Sequence, residues 1–194
     1  MRWAWVAVCW MASSHCFAIC SDSDRSTVRL IRAHDQAIRG DGVLPSLGER
    51  RWMNALEALS MRHQQLLRPI LSRCSWTFGH DAWGDEAEAA WYVVQHADDL
   101  SFQRAQLEDL QRLSATFPGV PRKQLAYLED RVLLGEGKAQ RYGSQLEVVD
   151  GQLVPLPIDR PAELNERRAS MGLPSMEAYL AEASAKWKAM SHQR

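Results

Sequence analysis

The chain has 194 residues, and its 23 Lys and Arg residues nearly balance its 24 Asp and Glu residues, which leaves a net charge of −1 at pH 7. This length suits one domain that can bury a hydrophobic core without a structural metal. The near-zero net charge, with basic residues scattered among acidic ones, argues against nucleic acid as the main partner.

The first 18 residues have the layout of a secretory signal peptide. Met1-Arg2 precedes a short apolar run, and Cys16-Phe17-Ala18 supplies small residues for cleavage. The run is shorter than the roughly 20 residues that span a bilayer as a helix. We therefore expect export to the periplasm or the medium, a single domain over residues 19–194, and no stable membrane span. An ordinary N-terminal helix is the alternative interpretation.

Two cysteines, Cys20 and Cys74, remain after such a cleavage. In an oxidising compartment they could form a disulfide, or they could stay free. Two cysteines so far apart in sequence do not form a metal-binding motif.

Two helices are predicted before the middle of the chain. The first covers 26–39 and ends at Gly40-Asp41-Gly42. The second runs from about Leu47 to Ser72 on apolar residues at helical spacing, and Pro69 is expected to kink or end it. The residues of the first helix expected to face inward are Val28, Ile31, Ala37 and Ile38. The histidines expected at the surface are His63 and His80.

The most apolar run after residue 18 is WYVVQHAD, residues 91–98. The acidic residues Asp85, Glu86 and Glu88 precede it and suit the first turn of a helix. Apolar residues on both faces of this helix predict a central, buried position. His96 would then lie at the end of a buried face, where its polar ring needs a partner.

His96 has two interpretations. It is either a core histidine that fixes the end of the helix, or a general base or ligand, because imidazole titrates near neutral pH. The residue by itself does not decide between them.

Two helices follow the central one, the first on Phe102, Leu107, Leu110 and Leu113 and the second over 122–134. In the second of these helices, Asp130 does not lie on a clean polar face, and a carboxylate there is costly unless it is paired. We expect its partner to come from another segment, and His96 is a candidate on residue type.

The last part of the chain predicts a β-hairpin. Leu146–Val149 and Gln152–Pro155 flank Asp150-Gly151, and Asp-Gly between apolar runs is a strong hairpin signal. A lone hairpin is marginal, so it must pack on the helices. A short charged helix over 162–170 and an amphipathic helix capped by Ser175 follow. The predicted fold class is mainly α, a compact helical domain with one small β-hairpin.

Several segments together resemble a known family. They are AAWYVVQHAD (89–98), LAYLEDRV (125–132), GKAQRYGSQ (137–145), PLPID (155–159) and ERRASMGLPSMEAYL (166–180), together with Phe102-Gln103 and Asp35-Gln36 followed by Arg39. The chain resembles a widespread bacterial family called domain of unknown function 6624, over a core of about 28–182. It departs from the family at Ser144, where Thr is expected, and at 74–77, where the family has Gly-Trp-Pro.

The resemblance implies a mostly helical fold with a small hairpin, and it implies no established reaction. It does select the polar residues of these motifs. The residues selected are Gln95, His96, Asp98, Asp130, Arg131, Gln140, Tyr142 and Gln145.

One hypothesis is an exported hydrolase or group-transfer enzyme acting on an unknown small molecule, with His96 as general base oriented by Asp98 or Asp130. Arg131 would bind an anionic group, and the other polar residues would hold the substrate. The expected substrate-binding residues are Gln95, Gln103, Arg131, Gln140, Tyr142 and Gln145. A metal site built from His96, Asp98 and Asp130 falls well short of a zinc signature, so no metal ligand is predicted and the cofactor is unknown.

The alternative hypothesis is a non-catalytic binding or structural protein of the cell envelope, in which the polar residues form a buried hydrogen-bond network. Its partner would be an envelope protein. Solvent access separates the two hypotheses, because a site needs an open pocket at His96 and Arg131 whereas a structural network is sealed.

Overall fold

The computed structural model describes residues 20–39, 49–76, 78, 83–117 and 119–191. Within these ranges the chain is mainly helical with one two-stranded sheet, which confirms the predicted fold class. The helices are α1 (Asp22–Arg39), α2 (Glu49–Cys74), α3 (Asp85–Gln95), α4 (Leu100–Thr116), α5 (Arg122–Gly135), α6 (Leu164–Ser170) and α7 (Met176–Ser191). The strands are β1 (Leu146–Val149) and β2 (Gln152–Pro155), and a 3₁₀ turn covers Pro161–Glu163. The predicted signal peptide lies outside the described residues.

Helix α3 is the centre of the core, as its apolar faces predict. It contacts α1, α2, α4 and α5, and most of its side chains are buried. The small side chains of Ala87 and Ala90 are almost completely buried, which allows neighbouring helices to approach closely. Acidic side chains at Asp85, Glu86 and Glu88 occupy the first turn, where they favour the positive end of the helix dipole.

A disulfide joins the start of α1 to the end of α2. Cys20 and Cys74 are bonded, with their Cα atoms 5.3 Å apart and a sequence separation of 54 residues. Of the two states left open by the sequence, the structure therefore has the paired one. Disulfides typically stabilise a fold by about 2–4 kcal/mol, mainly by restricting the unfolded chain. Beyond Cys74, the side chains of Trp76 and Phe78 are buried against the core.

Helix α2 includes Pro69 and continues to Cys74, so of the two expected effects of the proline, a kink or an end, the end does not occur. Two expectations for the first two helices need correction. His63 is buried, not at the surface, because α1 packs on α2 and places the ring of His34 over it, with ring centroids 6.3 Å apart. Ala37 is exposed, whereas Val28 and Ile31 are buried as expected. The predictions for His80, the side chain of Ile38 and the 40–42 turn lie outside the described residues.

The hairpin has the predicted strands and turn. β1 pairs antiparallel with β2 in a register that places Leu146 opposite Pro155. The turn residues Asp150 and Gly151 have φ values of 49° and 74°, the left-handed conformation that a two-residue hairpin turn requires. Strand β2 packs on α7, which gives the small sheet the support it needs. No helix in the described part of the chain is long and apolar enough to cross a membrane.

Asp99 caps α4, and this cap gives the stability a pH dependence. Its carboxylate accepts hydrogen bonds from the Ser101 hydroxyl at 2.6 Å and from the Phe102 backbone N–H at 3.0 Å. These two bonds, followed by the charge of Arg68, hold the pKa of Asp99 below its usual range. Because the folded-state pKa is the lower one, the stabilisation is present above the unfolded pKa and is lost as pH falls through the folded one.

We expect Asp99→Ala to lower the free energy of unfolding by about 1 kcal/mol at neutral pH, the usual effect of losing an N-cap. The difference from wild type should shrink as the carboxylate is protonated in acid. Urea unfolding at neutral and acidic pH measures both effects. Asp98→Ala, one residue earlier and exposed, is the matched control and should change the stability little at either pH. Equal losses for the two variants would contradict the capping role.

Candidate functional site

An open cleft lies where α2, the end of α3 and α5 meet. Its volume is about 630 Å³. The side chains that line it are Met53, Leu56, Glu57, Ser60, His96, Asp98 and Arg131. Three of the site residues selected from the sequence, His96, Asp98 and Arg131, therefore share one solvent-accessible cavity.

His96 lies next to a buried carboxylate from α1. Its Nδ1 is 3.2 Å from Oδ2 of Asp35, whose side chain is only 5% exposed. The ring Nδ1 is itself buried, and the carboxylate lies off the line of a ring N–H, so this contact has ion-pair distance without hydrogen-bond alignment. The His96 side chain is 26% exposed, and because Nδ1 is buried, this exposure belongs to the rest of the ring.

The backbone of His96 is held as well as its ring. Its N–H donates to the Tyr92 carbonyl at 3.0 Å, which ends helix α3. Its carbonyl accepts from the Ser60 hydroxyl at 3.1 Å, and the Gln64 amide donates to the same hydroxyl at 3.3 Å. α1, α2 and α3 therefore all fix the position of this histidine.

Gln103 and Gln95 hold helices together, although the sequence suggests that they bind substrate. The buried amide of Gln103 lies within hydrogen-bond distance of three carbonyls at the end of α3, those of Val94, Gln95 and Ala97. Carbonyls at a helix end lack intrahelical partners, so the Gln103 amide supplies hydrogen-bond donors that the helix itself does not have. Gln95 is also buried, and its amide donates to the Tyr127 carbonyl at 3.5 Å.

Asp130 binds a loop rather than His96. Its side chain is 0% exposed. Its carboxylate accepts hydrogen bonds from the backbone N–H groups of Arg141 at 2.6 Å, Tyr142 at 2.9 Å and Ser144 at 2.9 Å. The expectation of a partner from another segment is confirmed. The expected pairing of Asp130 with His96 is wrong. Helix α1 brings the Asp35 carboxylate to the histidine instead, and α5 directs the Asp130 carboxylate to the loop.

Gln140, Gln145 and Tyr142 lie in the same loop and also bind protein groups. The Gln140 amide donates to the carbonyls of Gln145 at 3.0 Å and Leu156 at 2.8 Å, and its side-chain oxygen accepts from the Gln145 N–H. The Gln145 amide donates to the Ser144 hydroxyl at 3.0 Å. The Tyr142 hydroxyl is 3.4 Å from Glu129, and burial, followed by the Glu129 charge, raises the pKa of Tyr142.

The residues of this second group form a network that is buried except at the half-buried Gln145, and we call it the loop network: Asp130, Gln140, Tyr142, Ser144, Gln145 and Arg168. Sequence reasoning missed Arg168, which is 1% exposed although it lies in a helix expected to be short and charged. Its guanidinium donates to the carbonyls of Pro174 at 2.7 Å and Tyr142 at 2.5 Å, and burial lowers its pKa. The position of Arg168 in the family segment ERRASMGL was the feature of the sequence that could have singled it out.

The cleft also contains residues that sequence reasoning did not select. Asp35 was noted in the family resemblance but was given no role, and nothing in the pattern around Ser60 distinguished it. Among the described residues, no group of three or more His, Cys, Asp or Glu side chains is placed to hold a metal ion. The hypothetical ligand set of His96, Asp98 and Asp130 does not assemble, because Asp130 belongs to the loop network.

Comparison with known proteins identifies the family. A model described as "Family of unknown function (DUF6624)" matches residues 29–187. The chain belongs to this family. No curated protein and no solved structure matches it. The DUF6624 match covers both the cleft and the loop network, so the two polar groups are parts of one family domain.

The role of Gln103 in this DUF6624 domain can be tested by stability. We expect Gln103→Leu to lower the free energy of unfolding by about 1–3 kcal/mol, because it leaves buried carbonyls without donors. The matched control is Gln111→Leu, an exposed glutamine on the same helix, which should have little effect. Chemical denaturation measures both. If Gln103→Leu is as stable as wild type, the carbonyls at the end of α3 do not depend on this amide.

Proposed function

We propose that this protein is a hydrolase or group-transfer enzyme in which His96 is the general base and Asp35 is its positioning residue. The observation that carries the proposal is the 3.2 Å approach of Asp35 to the buried Nδ1 of a histidine whose remaining ring atoms are partly exposed at an open cleft. A structural histidine needs no such opening.

The carboxylate of Asp35 favours one of the two neutral tautomers of His96. A carboxylate beside Nδ1 favours the tautomer that carries its proton there, which leaves the Nε2 lone pair to accept a proton. When Nε2 takes a proton from the attacking group, the Asp35 carboxylate still lies 3.2 Å from Nδ1 and holds the ring in place. The imperfect alignment of the pair is compatible with this role, because catalytic hydrogen bonds often tighten only when substrate binds.

The other cleft residues suggest how a substrate is held. Arg131 provides a guanidinium group for an anionic part of the substrate, and Asp98 an acceptor for a hydroxyl or amine. Ser60 is a poor nucleophile because its hydroxyl donates to the His96 carbonyl. In the proposed reaction, His96 therefore takes a proton from water or a substrate hydroxyl as its oxygen attacks, and returns the proton to the leaving group.

The disulfide supports export as the setting for this reaction. Disulfides persist mainly in oxidising compartments such as the periplasm and the cell exterior. The Cys20–Cys74 bond is consistent with an enzyme that acts there, and with the signal-peptide pattern of residues 1–18.

Hydrolysis of chromogenic model substrates tests the proposal. A panel of p-nitrophenyl acetate, p-nitrophenyl phosphate and aminoacyl p-nitroanilides covers the main leaving-group classes. For any substrate that is turned over, we expect His96→Ala to lower kcat by about 10²–10⁴-fold, the usual contribution of a general base. Asp35→Asn should lower kcat with a smaller effect on KM, because it acts through His96.

The control is His34→Ala, an exposed histidine one residue before Asp35. It should leave turnover unchanged. A readout that needs no substrate is the His96 tautomer, measured from ¹H–¹⁵N correlations of the ring: wild type should carry the proton on Nδ1, and Asp35→Asn should disturb this preference. A proton on Nε2 in wild type, or turnover that survives His96→Ala, would contradict the proposal and favour the non-catalytic envelope-binding alternative.

A further inference from the structure

The cleft at His96 continues along helix α2. Two further depressions, of about 470 and 460 Å³, lie beside it. The first shares Asp98 with the His96 cleft, and the second shares Arg68 with the first. The three depressions thus form one line, which we call the α2 groove, from Met53 at one end to Ser72 at the other.

The groove follows one face of the helix. Its α2 residues recur at the three- and four-residue spacing of a single helical face. The opposite bank consists of the segment after α3 and the outer side of α4. At about 1.5 Å per residue, the distance from Met53 to Ser72 is roughly 28 Å. An extended peptide of about eight residues has the same length.

The lining favours a peptide over a sugar chain. Sugars and nucleic-acid bases stack mainly on exposed Phe, Tyr and Trp rings. Among the described lining residues the one such ring is Phe102, which is 3% exposed and lies under the Arg68 guanidinium. The apolar side chains at the rim are instead Met53 and Met61, which are 53% and 51% exposed. Flexible methionines suit varied peptide side chains.

The middle of the groove offers a polar side chain to a peptide backbone. Gln65 is exposed and lines the middle depression. Its side-chain N–H groups can donate to peptide carbonyls, and its side-chain oxygen can accept from peptide N–H groups.

The charge of the lining indicates the sign of the occupant. The described lining residues carry four carboxylates, those of Glu57, Asp98, Asp99 and Asp109, and two guanidinium groups, those of Arg68 and Arg131. Arg68 is paired with Asp99 at 2.6 Å, and Asp109 is paired with Arg112 on the same helix. Glu57 and Asp98 then remain against Arg131, an excess of one carboxylate near His96, and this excess favours cationic groups.

We infer that the α2 groove binds an extended peptide segment with basic side chains and presents it to His96. The substrate class is therefore a basic peptide or a polypeptide carrying one. The inference rests on the proposed function only where it says that a bond of the peptide reacts at His96. Peptide binding itself is measured independently of turnover.

Fluorescence anisotropy with labelled peptides tests the inference. The probes are acetylated, amidated peptides of about eight residues that alternate Lys with Ala, and the same length alternating Glu with Ala. The protein carries its disulfide and His96→Ala, so that nothing is turned over. We expect the basic peptide to bind at least about tenfold more tightly than the acidic one at low ionic strength, and the difference to narrow with added salt.

A matched pair of variants locates the binding. Glu57→Lys reverses a charge inside the groove, and Glu108→Lys makes the same change at an exposed position on α4 that does not line the groove. We expect Glu57→Lys to weaken binding of the basic peptide several-fold and Glu108→Lys to do so much less.

Equal effects of the two variants, equal binding of the two peptides, or displacement of the basic peptide by chitohexaose would overturn the inference. These failures are distinct from failure of the proposed function. If the basic peptide binds but turnover does not depend on His96, the catalytic role of His96 is wrong and the inference about the groove stands. If turnover depends on His96 but the peptide does not bind, the catalytic role stands and the inference about the groove is wrong.

Discussion

The fold of the second half of the chain depends on one buried carboxylate. Asp130 is completely inaccessible to solvent, and a charge in that position requires hydrogen-bond partners. It obtains them from three backbone N–H groups of the loop at 141–144, which therefore folds back onto α5. Gln140 then ties the same loop to the chain beyond β2, and Arg168 ties it to α6 and to the residues before α7. One carboxylate thus organises the connection between the helices and the hairpin.

The same constraint helps to build the cleft. Successive helix residues point about 100° apart, so fixing Asp130 toward the loop also fixes the direction of Arg131. Arg131 lines the cleft on the other side of the helix from Glu129, which lies beside the loop. The LEDRV segment therefore serves both polar groups, with Asp130 in the loop network and Arg131 in the open cavity. An open cavity at His96 and a buried network around Asp130, which the sequence presents as alternatives, are both present in this domain.

Local chemistry made several features predictable. The composition of 85–95 indicated a buried helix, the Asp150-Gly151 pair indicated the hairpin, and the position of Asp130 indicated a need for a partner. Each of these follows from neighbouring residues. The contact between Asp35 and His96 does not, because it depends on how α1 packs on α3. An amide such as Gln103 has the same residue type whether it binds a substrate or a helix end, so only the structure could assign it. Burial of Arg168 was hidden by the charged residues around it.

The division into an open cleft and a buried network is the central claim, and a pair of stability measurements tests it most directly. Asp130→Asn puts an amide donor against backbone N–H donors, so the free energy of unfolding should fall by about 1–3 kcal/mol. His96→Ala removes a partly exposed side chain at the cleft, and its stability should stay within about 0.5 kcal/mol of wild type or rise, as it often does at active sites. A loss for His96→Ala as large as that for Asp130→Asn would contradict the division and would make His96 a part of the structural network.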